Sequence, residues 1–180
     1  MRIIGGSFRG KKITAPESLP VRPTTDFAKT GLFNILLNKF DLSEITVLDL
    51  YAGTGSITYE LFSRGCTQID AADRNRDCAA FIQKTLEQLR APYSVKAFQA
   101  DAVTFLQKNT KAYDVIFADP PFEDEAAENL LNTIREYSKL KTGGLFILEH
   151  VTGRKYDELP GFLESRKYGN VSFSFFTISH

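Results

Sequence analysis

The sequence predicts a doubly wound α/β fold: a mostly parallel sheet covered by helices on both faces, an antiparallel strand near its C-terminal end, and a small N-terminal β-hairpin extension. Three observations carry this expectation. Between residues 45 and 150, short apolar runs alternate with segments of helical periodicity, the pattern of βαβ units in a parallel sheet. The first of these runs passes through a glycine turn, Tyr51-Ala-Gly-Thr-Gly55, directly into a helical segment; such a corner lets the backbone approach a ligand closely. After residue 160 the alternation stops. Two strand-like stretches, 164–169 and 171–178, are joined through Gly169-Asn170, a link short enough to force antiparallel pairing.

Taken in order, residues 1–14 read as strand or hairpin, with Ile3 and Ile4 ahead of the turn signal Gly5-Gly6. Residues 15–25 are a loop punctuated by Pro16, Pro20 and Pro23. A helix is expected over 26–40, where Ala28, Leu32, Ile35, Leu36 and Phe40 share a face and Thr25 or Asp26 can cap the start. The strand 45–50 is apolar apart from its ends, as a strand buried on both faces should be. Next come a helix from 56 to about 64, stopped by Gly65, and a strand 67–72 that ends at Asp73. The helix 75–89 carries Cys78, Ile82, Leu86 and Leu89 on one face. A strand 94–99 precedes Asp101, a short helix covers 102–108, and a strand 113–118 ends at Asp119. A helix over 124–137 follows the Pro120-Pro121 break, and Gly143-Gly144 introduces the strand 145–150. The expected organisation is a basic extension, 1–25, on one domain, 26–180.

With 180 residues, 43% of them hydrophobic and 24% charged, the chain has the composition of an ordinary globular domain with its own core. Cys66 and Cys78 are the only cysteines and lack zinc-ligand spacing, so no metal is expected. The opening MRIIGGSFRGKK has no signal-peptide apolar run, and no segment is apolar over the roughly 18 residues of a membrane span. No membrane partner is expected, and the cytoplasm is the expected location. Net charge is zero, yet residues 1–40 carry seven basic and two acidic side chains, net +5. A basic end on an acidic body points to phosphate. Arg2, Arg9, Lys11 and Lys12, interleaved with Phe8, suit phosphate contact with base stacking.

Four successive strands finish at or just before an acid: Asp49, Asp73, Asp101 and Asp119. Parallel strands would bring all four to the rim where open α/β sheets bind ligands. Asp73 lies 18 residues after Gly55, near the distance at which an acid meets ribose hydroxyls in nucleotide-binding folds. Asp101 can accept from the exocyclic amine of a base. The turn itself, Gly53-Thr-Gly55-Ser-Ile-Thr58, lacks the third glycine of the dinucleotide fingerprint. Asp49 would also repel a pyrophosphate. An adenosine ligand with a cationic centre fits better, and S-adenosylmethionine is that ligand. The candidate cofactor residues are Asp49, Tyr51, Ala52, Gly53, Gly55, Asp73, Arg74, Asp101, Ala102 and Asp119.

Asp119-Pro120-Pro121-Phe122 is the sharpest short motif. Two prolines stiffen the chain and remove two donors, leaving a carboxylate and free carbonyls beside an aromatic ring. Such a corner can hold the N–H bonds of an amino group on a planar base while Phe122 stacks on it. The expected chemistry is in-line methyl transfer to an exocyclic nitrogen of a base that is unpaired or flipped out. His150 and His180 are not assigned as bases.

VLDLYAGTG and DPPF resemble the first and fourth motifs of the class I S-adenosylmethionine-dependent methyltransferases, which have a Rossmann-like fold. Nearly end to end, the chain resembles the RsmD family of 16S rRNA guanine-N2 methyltransferases: Arg2-Ile-Ile-Gly-Gly-Ser-Phe-Arg-Gly-Lys, Arg22-Pro-Thr-Thr-Asp26, Leu32-Phe-Asn34, Asp101-Ala-Val-Thr-Phe-Leu106, DPPF and Tyr168-Gly-Asn170. The resemblance implies that Asp49 and Gly53 to Gly55 line the methionine end of the cofactor. It implies that Asp73 holds the ribose, Asp101 the adenine, and Asp119 to Phe122 the target guanine. It adds Arg22 to the residues that would touch RNA, and it implies a guanine of 16S rRNA in a 30S particle or assembly intermediate, met by a monomer. The family often has Glu where this chain has Asp73, and basic residues where it has Phe27 and Ala28. From the motifs alone, adenine N6 methylation of DNA or RNA stays open, as does a non-catalytic rRNA-binding assembly factor.

Overall fold

The computed structural model describes residues 1–19, 24–121 and 124–178. Arg22, Phe122 and His180, singled out above, lie outside them, as do Pro20 and Pro23 of the expected loop. The elements are α1 (Asp26–Lys39), β1 (Thr46–Leu50), α2 (Ser56–Ser63), β2 (Gln68–Asp73), α3 (Arg76–Gln88), β3 (Val95–Gln99), α4 (Ala102–Lys108), β4 (Tyr113–Ala118), α5 (Asp124–Glu136), β5 (Leu140–Val151), β6 (Phe162–Tyr168) and β7 (Val171–Phe176). One seven-stranded sheet has the order β3-β2-β1-β4-β5-β7-β6. The first five strands in that order pair in parallel, and β7 runs antiparallel to both β5 and β6.

Side-chain alternation along the strands feeds two separate cores. Val47, Val115, Phe117, Leu145 and Ile147 pack with Leu32 and Leu36 of α1, Ile57 and Leu61 of α2, and Ile82 and Leu86 of α3. The alternate residues Leu48, Leu50, Ile116, Ala118, Phe146 and Leu148 pack with Phe105 and Leu106 of α4 and Leu130, Leu131 and Ile134 of α5. The expected doubly wound architecture is therefore present, with β1 beside β4 at the reversal of strand order.

Three local features differ from the sequence expectation. Gly143-Gly144 lies inside β5 instead of before it. Tyr113 pairs with Leu140 but Val115 with Leu145, so the β5 backbone bulges between them. Gly143 supplies a φ of +78°, and a Cβ on Gly144 would sit 2.7 Å from the Asp114 carbonyl oxygen. Second, Thr25 caps α1 by accepting from the Ala28 N–H, but the buried stripe includes Lys29 and Phe33, while Ile35 and Phe40 are only partly covered. Third, the N-terminal segment is not a regular β-hairpin. It holds one antiparallel bridge, Arg2 to Lys12, and is otherwise turns.

That segment is held by a buried charge cluster. Glu60 of α2 is fully buried and pairs with the equally buried Lys29 at 3.1 Å and with Arg64 at 3.3 Å. Glu60 Oε1 also accepts the Ile4 N–H at 2.6 Å, and Lys29 Nζ donates to the Arg2 carbonyl at 2.6 Å. Ser63 Oγ donates to the Gly5 carbonyl and accepts the Phe8 N–H. Ile3 and Ile13 complete the attachment by entering the core beneath α1. Lys29 therefore contributes to the fold and not to the basic surface that its charge suggested.

Removing Glu60 leaves the buried Lys29 with the more distant Asp26, at 3.7 Å, and breaking a buried pair of this kind costs about 3–5 kcal/mol. Glu60→Ala should lower unfolding stability by that amount and make residues 1–13 the first site of proteolysis. Urea denaturation and limited proteolysis check this. A variant with wild-type stability and an intact N-terminus would show that the cluster is not the anchor.

Candidate active site

The sequence reading placed four acids on one rim, and the parallel order of β3, β2, β1 and β4 puts the ends of all four strands there. The acids occupy distinct environments. Asp49 is 1% exposed and accepts the Thr58 hydroxyl at 2.6 Å. Asp119 follows β4 and is half-buried, Asp73 ends β2 half-buried, and Asp101 is exposed.

A fifth acid joins them. Glu149, near the end of β5, is 5% exposed and accepts the Thr24 hydroxyl at 2.9 Å. Asp49, Asp119 and Glu149 share alternation parity with Val47, Phe117 and Ile147, so all three face the α1–α3 side. Glu149 went unread in the sequence because it sits inside an apolar run. Its parity with Leu145 and Ile147 was the available signal. His150, next in the chain, has the opposite parity. Its Nδ1 donates to the Val151 carbonyl at 3.0 Å, its Nε2 lies 2.8 Å from Ser174 Oγ, and its ring lies edge-on to Tyr156 at 4.8 Å, with its pKa lowered by burial.

Burial sets the electrostatics of this trio. Desolvation pushes the Asp49 carboxyl up to about 7, against the opposing Thr58 hydrogen bond, and the nearby Asp119 and Asp73 charges add to the rise. Asp119 is raised by desolvation. Glu149 is raised by desolvation and then by the Asp119 charge, with Thr24 pulling the other way. Among the described residues, no three His, Cys, Asp or Glu side chains are grouped to hold a metal ion.

The glycine turn lies against this cluster. Tyr51 (φ 57°), Gly53 (φ 55°) and Gly55 (φ 83°) are all in the left-handed region, so a bulky side chain is held in a conformation that costs about 1–3 kcal/mol. Asp73 braces the turn: Oδ2 accepts the Gly53 N–H and Oδ1 the Asn75 N–H, each at 2.8 Å. Each oxygen retains a second lone pair for a ligand hydroxyl. Gly55 caps α2 with no side-chain acceptor, and a Cβ there would meet the Tyr59 ring at 2.7 Å. Ser56 Oγ, the next side chain, is buried with no hydrogen-bond partner.

The outer members are more open. Asp101 caps α4 by accepting the Thr104 N–H at 3.0 Å through Oδ1, which leaves Oδ2 as its ligand acceptor. Ala102 is buried at the first position of that helix, and Arg74 is exposed just beyond β2. Pro120 is buried and Pro121 exposed. Arg2, Arg9, Lys11 and Lys12 are all exposed along the N-terminal segment, with Arg2 paired to Asp26 at 2.7 Å. Phe8, expected to stack on bases, is instead half-buried on Phe62, with 5.6 Å between ring centres.

A raised carboxyl contributes stability that is complete below its unfolded pKa of about 4 and is lost as pH rises through the folded value. For Asp49 that loss runs from about 4 up to its folded value of about 7 and levels off above it. The ligand-free protein should therefore lose on the order of 2–3 kcal/mol of unfolding free energy between about pH 5 and about pH 8. Asp49→Asn should flatten this dependence in chemical denaturation. Stability rising over the same interval would contradict the assignment of a buried, raised carboxyl.

The sheet order is that of a class I methyltransferase fold, and similarity to known proteins agrees with it. Residues 1–177 match the family described as conserved hypothetical protein 95. The chain is 32% identical to YlbH of Bacillus subtilis, covering 83% of this chain and 82% of that protein. It is 30% identical to the ribosomal RNA small subunit methyltransferase D of Escherichia coli K12, covering 83% and 74%. The solved structure of yhhF from E. coli superposes with a TM-score of 0.83 at 26% identity, over 98% of this chain and 96% of that one. With the motifs, the fold and these relatives in agreement, the chain belongs to the RsmD family.

Proposed function

We propose that the protein is an S-adenosylmethionine-dependent rRNA methyltransferase that methylates the exocyclic N2 of a guanine in small-subunit (16S) rRNA. The observation that carries the reading is the cluster of Asp49, Glu149 and the half-buried Asp119 beside a left-handed glycine turn, in a chain whose relatives are named small-subunit rRNA methyltransferases. The reading includes a cytoplasmic monomer that meets its target in a 30S particle or an assembly intermediate.

The residues present suit that cofactor. Three desolvated carboxyls are a site for cationic groups, and an ammonium or sulfonium nearby favours their charged form. Gly53 and Gly55 keep side chains out of the approach, and the unpartnered Ser56 Oγ is a polar contact for the amino-acid end. Asp73 has lone pairs left for the ribose hydroxyls and Asp101 one oxygen for the adenine amine. The cofactor supplies a methyl group already made electrophilic by its sulfonium.

The chain's own contribution is positioning. Asp119 and the Pro120 carbonyl accept the N–H bonds of the target amine and turn its lone pair towards the methyl group. Phe122 stacks on the base. Alignment of this kind contributes roughly 7–11 kcal/mol. With the cofactor bound, the accepting nitrogen would take on positive charge during transfer, and the Asp119 carboxylate beside it would favour that change. Its raised pKa also makes Asp119 a competent acceptor for the proton that the nitrogen then sheds.

Purified protein incubated with labelled S-adenosylmethionine should transfer label to small-subunit particles or 16S rRNA lacking the modification, and not to plasmid DNA. Asp119→Ala should lower turnover at least a hundredfold, on the order of 3 kcal/mol, even at saturating cofactor. Asp73→Ala should raise the cofactor Kd and recover turnover at saturating cofactor. Label in DNA alone would contradict the rRNA reading, and near-wild-type turnover of Asp119→Ala would contradict the acceptor corner.

A further inference from the structure

We infer that Phe27 and Tyr168 form a base-stacking platform for the single-stranded RNA that flanks the target nucleotide, with the basic N-terminal segment beside it to hold the phosphates. The inference rests on the reading of the protein as an rRNA methyltransferase and names the surface that this substrate would use. Phe27 is 65% exposed, yet it is not a loose side chain. Its ring meets Tyr168 edge-on at 5.7 Å. Tyr168 is fixed in turn by Phe173 at 5.6 Å and by the backbone of α1 at Gly31. A Cβ on Gly31 would sit 2.0 Å from the Tyr168 ring, so only glycine lets that ring lie against the helix. A solvent-facing aromatic held in place by other rings loses little entropy on accepting a base.

The surroundings of Phe27 complement a nucleic-acid strand. It stands between two clefts along α1, and lines both. One, of about 590 Å3, is shared with Arg2, Arg9, Arg64 and Thr30. The other, of about 300 Å3, is shared with Arg166, Asn34 and Asn38. Three of the arginines have carboxylate partners: Arg2 with Asp26, Arg64 with Glu60 and Arg166 with Glu164. Lys11 and Lys12 lie exposed next to Arg9. Positive charge thus predominates on the N-terminal side of the ring, where Arg9, Lys11 and Lys12 are exposed, which suits the phosphates beside a stacked base, while Asn34 and Asn38 offer hydrogen bonds on the other side. Location agrees with use at the rim: Thr24, just before α1, bonds to Glu149 of the acidic trio. Phe8, the aromatic that the sequence singled out, is occupied against Phe62, which leaves Phe27 as the exposed ring beside the basic segment.

Two assays on the full chain test this. One measures KM and kcat for methyl transfer to undermethylated 30S particles or 16S rRNA. The other measures binding of a fluorescein-labelled single-stranded RNA of about ten nucleotides. Phe27→Ala should weaken oligonucleotide binding and raise KM for RNA by between about fivefold and a hundredfold, with the cofactor Kd unchanged. Phe27→Trp should restore both and Phe27→Leu should not, because stacking needs an aromatic face and helix packing needs only bulk. Arg9→Ala should lower the slope of log affinity against log salt, and Phe27→Ala should leave that slope alone. Wild-type oligonucleotide binding and KM in Phe27→Ala, or rescue by Leu as complete as by Trp, would overturn the platform. Absence of methyl transfer by the wild type would contradict the functional reading instead, and the oligonucleotide assay would still decide on the platform.

Discussion

Three carboxylates, the buried Asp49 and Glu149 and the half-buried Asp119, lie on one face of the sheet at the end where its parallel strands stop, and much of the surrounding structure is a response to them. Taking such groups out of water is unfavourable unless partners or protons compensate. Thr58 and Thr24 each donate one hydrogen bond, and the remaining imbalance appears as raised pKa values. A core that served stability alone would place apolar residues at these positions, continuing the pattern of Val47, Phe117 and Ile147. The departure from that pattern occurs together with a strained Tyr51 and an unpartnered Ser56 hydroxyl. Local rules broken together at one place mark a functional site.

A second group of buried charges has the opposite character. Glu60 is paired with both Lys29 and Arg64, and Glu60 and Lys29 bond to the backbone of residues 4 and 2. This cluster fixes the N-terminal segment to α1 and α2, so exposed basic side chains are presented from a rigid base near the rim. The two clusters thus divide the work: the paired one builds the scaffold, and the acidic one lines the proposed site. The charge asymmetry visible in the sequence mixes both kinds, since Lys29 belongs to the scaffold and Arg9 to the surface.

Most of the fold was legible because it rests on periodicity. Strand residues that alternate between two cores produce continuous apolar runs, and α4 and β4 have the predicted bounds. The Asp residues at strand ends were legible because a parallel sheet brings strand ends together. What was not legible depended on tertiary partners. Glu149 looks like a charge interrupting an apolar strand until Thr24 and the neighbouring acids are in place. Lys29 looks like a surface lysine until Glu60 reaches it from another helix. Gly143-Gly144 resembles a turn and is a bulge, a distinction made by the register against β4. The N-terminal turn signals were correctly located, but docking on α2 satisfies several backbone groups that a regular hairpin would have paired.

The account joins a buried anionic cofactor site to an acceptor corner at Asp119 and assigns one product to the pair. The most direct test is nucleoside mass spectrometry of small-subunit rRNA after reaction of unmodified particles with the protein and S-adenosylmethionine. The account predicts one new N2-methylguanosine per particle, absent when Asp119→Ala replaces the wild type. Methylation at adenine N6, or an rRNA unchanged by an active, cofactor-binding protein, would contradict it.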